Sequence, residues 1–279
     1  MQLFVEHLTV IDSAYLHPEH GIVGESWIVD VTLHGDLDPQ SMVMDFGHVK
    51  KRLKAAIDGS IDHTLIVPSA SGQLTLAEEA AYVQLAYRFA EDASLTHRSP
   101  RQAVTLLDTR EISDAALTSW LENALMAVVP ENVSRVEIGL RHEDPSHPHY
   151  HYAHGLKKHD GNCQRIAHGH RSRVLVWKDG QRDPVLESAI AKRMCYAYLA
   201  TESDQIAQAD GQSHFRYTSD QGTFELHYPT ERCHVLATDT TVECIAQHLA
   251  ALLAAEHPGH RFTVRAYEGV HKGAIAHAG

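Results

Sequence analysis

The order of elements along this chain occurs twice, and that repetition constrains the fold more than any single motif. "LFVEHLTVI" is followed by "WIVDVTLHG", where Trp27, Val29, Val31 and Leu33 alternate with Asp30, Thr32 and His34 as in a half-buried antiparallel strand. "MDFGHVKKRLKAAIDG" then puts Phe46, Val49, Leu53 and Ile57 on one helical face, with Asp45 as N-cap and Gly59 as the stop. The stretch from Pro68 to about Arg110 reads as an insertion with its own amphipathic helix, "LTLAEEAAYVQLAYRFAED", in the register Leu76, Ala80, Val83, Tyr87. A helix from Ser113 (Leu117, Leu121, Leu125, Val128) and the strand "VSRVEIGLR" follow. After Pro148 the pattern restarts: short strand, loop, strand "RVLVW", helix "ESAIAKRMCYAYLA", hairpin "HFRYTSDQGTFELHY", helix "TTVECIAQHLAALL" and strand "RFTVRAY". This predicts two duplicated units, 1–145 and 146–279, with a helical insertion at about 69–110 in the first and a second insertion at about 185–215.

Length and composition agree with two units. A chain of 279 residues can bury two ordinary cores, and 43% hydrophobic with 22% charged residues is the balance of a soluble globular protein. "MQLFVEHLTV" has neither a basic region nor a long apolar one, so neither export nor membrane insertion is expected. The formal charge of -12 repels a phosphate backbone, which argues against nucleic acid as a partner. The four cysteines, Cys163, Cys195, Cys233 and Cys244, form no CxxC pair and no disulfide framework, and are expected to be reduced in a cytoplasm. Cys195 and Cys244 fall in predicted helices and read as buried small hydrophobes.

"HYHYAHGLKKHDGNCQRIAHGH" (His149 to His170) gathers six of 23 histidines around one cysteine. Three neutral imidazoles with one position open is the pattern of a catalytic zinc site, and His154, His168 and His170 fit it. In "HGH" the i, i+2 spacing points both rings to one side of a strand, Gly169 keeps the other side free of bulk, and His154 comes from the preceding antiparallel strand. His147, His149, His151 and His159 read as solvated. Cys163, in the loop between the two ligand strands, would be a thiolate base or nucleophile beside the cation, or alternatively a fourth ligand that closes the site.

These residues resemble the 6-pyruvoyltetrahydropterin synthase and 6-carboxytetrahydropterin synthase family. The resemblance rests on Tyr152-Ala153-His154, Cys163, "HGH", "TTVE" (Thr240 to Glu243) and "YEG" (Tyr267 to Gly269), and in the first half on "MVMDFGHVKKRL" and "IDH" (Ile61 to His63). It implies an α+β class: two tandem tunnelling-fold repeats, antiparallel sheets with helices packed on one face, and subunits joining sheets into a barrel. It further implies Zn2+ on His154, His168 and His170, Cys163 as proton-abstracting base, Asp62 and His63 as relay partners, and Glu268 as anchor of a pterin ring, with Thr241 and Glu243 nearby. The implied activity is a lyase acting on 7,8-dihydroneopterin triphosphate or a related pterin, giving 6-carboxytetrahydropterin, a queuosine precursor, or 6-pyruvoyltetrahydropterin.

The departures from the pattern matter as much. In the first half "VGES" (Val23 to Ser26) stands where HGH belongs, "DSAY" where the first ligand belongs, and "IGLR" where the glutamate belongs; the second half shows "RCHVL" (Arg232 to Leu236) where Asp-His is expected. Each half lacks what the other keeps, so Asp62-His63 are expected to serve Cys163 across the junction, with His234 and Asp239 as the local rival. Plainer readings exist: turn chemistry for Asp62-His63, a capping arrangement for Thr240, Thr241 and Glu243, and solvation for Glu268. The alternative functions are a non-catalytic zinc or pterin-binding protein on the same fold, and a histidine-rich metal reservoir. Sheet edges need partners, so homo-oligomerisation is expected.

Overall fold

The structure, a computed structural model, describes residues 1–144 and 146–279. Two long strands, β1 (Gln2–His17) and β2 (Gly21–Gly35), form an antiparallel hairpin, followed by helix α1 (Phe46–Ser60) and strand β3 (Leu65–Pro68). Next come β4 (Leu74–Glu79), β5 (Tyr82–Phe89), β6 (Ala93–Pro100), β7 (Val104–Leu107), α2 (Asp114–Met126) and β8 (Val133–Arg141). The second half runs β9 (His149–His154), β10 (His168–Lys178), the short β11 (Gln181–Arg182), α3 (Pro184–Met194), β12 (Ala197–Thr201), β13 (Gln205–Ala209), β14 (Gln212–Ser219) and β15 (Gly222–Pro229). It ends with β16 (Cys233–Leu236), α4 (Val242–Glu256), β17 (Phe262–Tyr267) and β18 (Gly273–Ala278).

Three sheets result. The first has the order β7-β3-β1-β2-β8 and the second β16-β12-β9-β10-β17-β18, so corresponding elements of each half take corresponding places. Long antiparallel pairs lie at the centre, with β3, β7, β12 and β16 added in parallel. α1 and α2 bury Val49, Leu53, Ile57, Leu117, Leu121 and Leu125 against the first sheet. α3 and α4 bury Ile190, Met194, Ile245, Leu249 and Leu253 against the second. Each such side chain contributes about 1.5–3 kcal/mol when fully removed from water.

The third sheet, β13-β14-β15-β6-β5-β4, draws three strands from each half and joins them where β15 pairs β6 antiparallel, with Leu226 opposite His97. Its inner face (Val83, Leu85, Tyr87, Phe89, Phe215, Phe224, Leu226, Tyr228) packs on Leu16, Ile22, Ile166 and Tyr198, two from each half, and so clamps the junction. The halves also touch where β2 crosses β10. A Cβ on Gly169 would stand 2.6 Å from Gly24 Cα, so both positions need glycine for the backbones to meet.

Several expectations are corrected. Residues 74–92 are not a helix: β4 and β5 form a hairpin turning through Ala80, whose φ is 52°. Val83, Leu85, Tyr87 and Phe89 are buried and alternate with exposed Gln84, Ala86 and Arg88, a period of two that cross-strand pairing with β6 enforces over the helical propensity of an Ala- and Glu-rich segment. The inserted region is therefore a β-structure. In the second half it begins after β12, since α3 stands where α1 does; the helix expected over residues 187–200 stops at Met194, and Ala197–Thr201 is a strand. Cys195 thus caps a helix, and Phe46 faces solvent. Among the described residues no helix is long and apolar enough to cross a membrane.

Candidate metal centre

The β9–β10 ladder sets His154 opposite His168 and Tyr152 opposite His170. Residues two apart on a strand share a face, so the three imidazoles converge, with ring centroids 4.5 Å (His154 to His168), 5.3 Å (His154 to His170) and 5.7 Å (His168 to His170) apart. One nitrogen from each lies within 4.8 Å of the others, and all three side chains are buried. His154 Nδ1 donates to the Thr240 carbonyl at 3.0 Å, and His168 Nδ1 donates to the Arg165 carbonyl at 2.9 Å. These bonds fix the tautomer that leaves the lone pair on Nε2, the arrangement that orients a metal-binding imidazole. Burial, reinforced by a neighbouring imidazole, pushes His154 and His168 well below the usual histidine range, so both are neutral near pH 7.

The residues fit a zinc ion. Nε2 of His154 and Nε2 of His170 are buried without a hydrogen-bond partner, and an orphaned buried polar atom costs about 1–3 kcal/mol unless something satisfies it. Neutral imidazole nitrogens are borderline donors suited to Zn2+.

Asp62 and His63 reach this centre from the other half. Ser13 Oγ donates to the Ile61 carbonyl at 2.7 Å, the Asp12 amide to Asp62 Oδ1 at 2.8 Å and the His63 amide to the Asp12 carbonyl at 3.0 Å, which holds His63 at a φ of 55°. Its Nδ1 lies 2.7 Å from Asp62 Oδ2, and its ring centroid is 5.1 Å from that of His168. His63, Cys163 and His168 form a second set of mutually close donors. Although burial opposes charge on His63, hydrogen bonds to Asp62 and Cys163 win and raise it to about 10. Arg165 ties the halves together, its Nη1 lying 3.4 Å from the carbonyls of both Asp62 and His63. The sulfur of Cys163 thus sits by His63 and His168. His234, on β16, instead has His248 and Arg193 as its charged neighbours, and Asp239 pairs with Lys158 at 2.6 Å.

Glu268 follows β17, half-buried, with its charge near the buried hydroxyls of Tyr150 and Tyr152. Thr241 is the N-cap of α4, its Oγ1 accepting from the Cys244 amide at 3.4 Å, and it lines a cavity of about 140 Å³ with Leu156, Lys158, His159 and Asp239. Glu243 is exposed in the first turn of α4. The residue of this segment that touches the imidazoles is Thr240, by its carbonyl and its Oγ1.

Asp12 was also missed. Its Oδ1 lies 3.2 Å from His170 Nδ1 and accepts from Ser26 Oγ at 2.5 Å, while Lys272 Nζ lies 3.1 Å from Oδ2. Burial would raise this carboxyl, but His170, Lys272 and Ser26 outweigh it and hold it well below the usual range. The available signal was a lone carboxylate in the apolar run "VIDSA".

A family model described as 6-pyruvoyl tetrahydropterin synthase matches residues 9–116 and again 146–278, and the chain belongs to that family. A curated relative from Pyrococcus abyssi, "Putative 6-carboxy-5,6,7,8-tetrahydropterin synthase", is 22% identical over 122 residues, 44% of this chain and 68% of its own length. Among solved structures, 6-pyruvoyl tetrahydropterin synthase from Plasmodium vivax is 19% identical, with 52% of this chain and 93% of that chain covered and a TM-score of 0.42. The Plasmodium falciparum enzyme is 17% identical over the same shares, also at 0.42.

Proposed function

We propose that this chain is a zinc-dependent pterin synthase of the lyase class, acting on 7,8-dihydroneopterin triphosphate or a related pterin to give 6-carboxytetrahydropterin or 6-pyruvoyltetrahydropterin. The observation that supports this reading is the contact of His63 with Asp62 and its closeness to Cys163, beside three buried imidazoles, in a member of this family. The site is composite: Asp62 and His63 belong to a repeat spanning residues 1–145, and the rest to one spanning 146–279. His154, His168 and His170 would hold a zinc ion, which when bound would supply Lewis acidity that acidifies a C–H bond of the substrate side chain.

Cys163 Sγ removes that proton. His63, held by Asp62 on Nδ1, offers its other nitrogen to the sulfur and, being charged, favours the thiolate. Glu268 accepts two parallel N–H bonds from a 2-aminopyrimidinone edge and fixes the ring, with Thr241 and Glu243 nearby. The chain self-associates through the free edges of its sheets and works in the cytoplasm.

A chromatographic product assay on zinc-loaded protein tests this. Turnover of dihydroneopterin triphosphate, with Cys163→Ala slower by about 10²–10⁴-fold while zinc at the three imidazoles is retained, is the expected result. No turnover of any pterin by zinc-loaded protein overturns catalysis in favour of a binding protein.

A further inference from the structure

We propose that His214, Glu225 and His227 form a second divalent-cation site, on the outer face of the third sheet, for a borderline transition ion such as Zn2+, Co2+ or Ni2+. The β14–β15 ladder places His214 directly opposite His227, and Glu225, two residues before His227, shares their face. Phe215 and Leu226, opposite each other in the same ladder, point the other way into the core. The two imidazoles stack with centroids 3.7 Å apart and planes 20° apart. Their Nε2 atoms converge on one oxygen: Glu225 Oε1 is 2.6 Å from His214 and 4.0 Å from His227. One donor atom from each of the three lies within 4.8 Å of the others.

Two imidazoles and a carboxylate are a donor set for imidazole-preferring divalent ions, with the remaining positions left to water. The side chains are 19% (His214), 27% (Glu225) and 43% (His227) exposed, so an ion has a path in. His227 Nε2 makes no hydrogen bond among the described residues, the Glu225 Oε1 atom standing 4.0 Å away. The hairpin is paired from Gln212–Pro229 to Ser219–Gly222 and again to β6, so the donors stand on a rigid frame. The matching positions of the β5–β6 hairpin carry Gln84, Thr96 and Arg98, which makes the site a feature of one repeat only.

The site is independent of the proposed pterin chemistry, and the test keeps the two apart. Metal-free protein is titrated calorimetrically with Zn2+, and with Co2+ followed by visible absorption. The wild type is expected to take two equivalents. His227→Gln should weaken one of them by at least about 10-fold and leave the other, and Glu225→Gln should do the same more mildly; His168→Ala should lose the opposite one. Circular dichroism checks that each variant is folded. A single equivalent in the wild type, or His227→Gln and Glu225→Gln both titrating like the wild type, overturns the proposal.

Discussion

The candidate metal centre has a twin in the first half, reached by aligning the two central hairpins on their registers. His154 stands opposite His168 as Tyr15 stands opposite Val23, and His170 corresponds to Glu25. His63 corresponds to Tyr196, and the two share a left-handed backbone, with φ of 55° and 59°. Asp62 corresponds to Cys195, Glu268 to His142 and Asp12 to His151. One pair is transposed: His170 lies 3.2 Å from Asp12 in the centre, and in the twin the carboxylate and imidazole exchange places, Glu25 lying 3.4 Å from His151.

The same backbone therefore supports two outcomes. In the centre, buried imidazole nitrogens without a hydrogen-bond partner face one another, an arrangement that a bound cation would satisfy. In the twin, Glu25 supplies the negative charge internally, 3.3 Å from His142 and 3.4 Å from His151, while Tyr196 stacks on His20 with centroids 4.0 Å apart. The connections differ too: β1 turns to β2 through Pro18 to His20, whereas Gly155 to Ala167 makes room for Cys163. The same frame thus carries three converging imidazoles in one half and a carboxylate between two imidazoles in the other.

The largest expected contrast is in metal binding. His168→Ala should weaken zinc by more than about 100-fold and abolish pterin turnover, whereas Val23→Ala, its counterpart, should leave stoichiometry and rate unchanged. Atomic absorption on dialysed protein with the product assay checks both, and an equal zinc loss in the two variants would break the comparison. Next in size is the relay. Asp62→Asn should slow turnover by about 100-fold or more, because His63 loses the carboxylate that supports its charge, while Cys195→Ser should not affect it. An unchanged rate in Asp62→Asn removes the composite relay.

Much of this was legible in the sequence. The HGH spacing gave a shared face, and the alternation in "WIVDVTLHG" and the apolar stripe of "MDFGHVKKRL" correspond to β2 and α1. What stayed hidden depends on pairings distant in sequence. Helical propensity over residues 74–92 yields to cross-strand contacts with β6, and nothing local indicates that β6 pairs with β15. Likewise "RCHVL" is the wrong place to seek the counterpart of Asp62-His63: the parallel register of β12 on β9 puts Cys195-Tyr196 there, which only the assembled sheet reveals. Asp12 and Thr240 acquire meaning only through the imidazoles folded against them.

The third sheet carries the same asymmetry in milder form, since His97 and Leu226 are opposite each other at the seam. His97 is fully buried with Nδ1 unpartnered, and burial lowers it to about 4 from an unfolded value of about 6.5. The unfolded chain thus binds the extra proton between those values, so this contribution is intact above about pH 6.5 and is lost as pH falls toward 4. At about 1.4 kcal/mol per unit the loss is about 3 kcal/mol. His97→Leu, which makes the seam symmetric, should remove that much of the acid sensitivity; urea unfolding of both proteins from pH 4 to 7 would show parallel curves if His97 played no part.

The smallest contrast is the transposed pair itself. Asp12→Asn should weaken zinc by about 10–100-fold, since the carboxylate orients His170, and should do so without any change at the twin. Glu25→Gln should leave zinc untouched and instead destabilise the fold by about 1–3 kcal/mol, because His142 and His151 lose a buried charged partner. The effect has a direction in pH. The hydrogen bond to Glu25, helped by its charge and that of Asp114, raises His142 above its unfolded value, so this stabilisation is full below about pH 6.5 and fades as pH rises through the folded value. Thermal melts of wild type and Glu25→Gln should therefore differ more at pH 5.5 than at pH 8.5, opposite in sense to His97. A gap that widens with pH would mean that Glu25 does not hold a charged histidine, and that the twin is not the internally neutralised site its geometry describes.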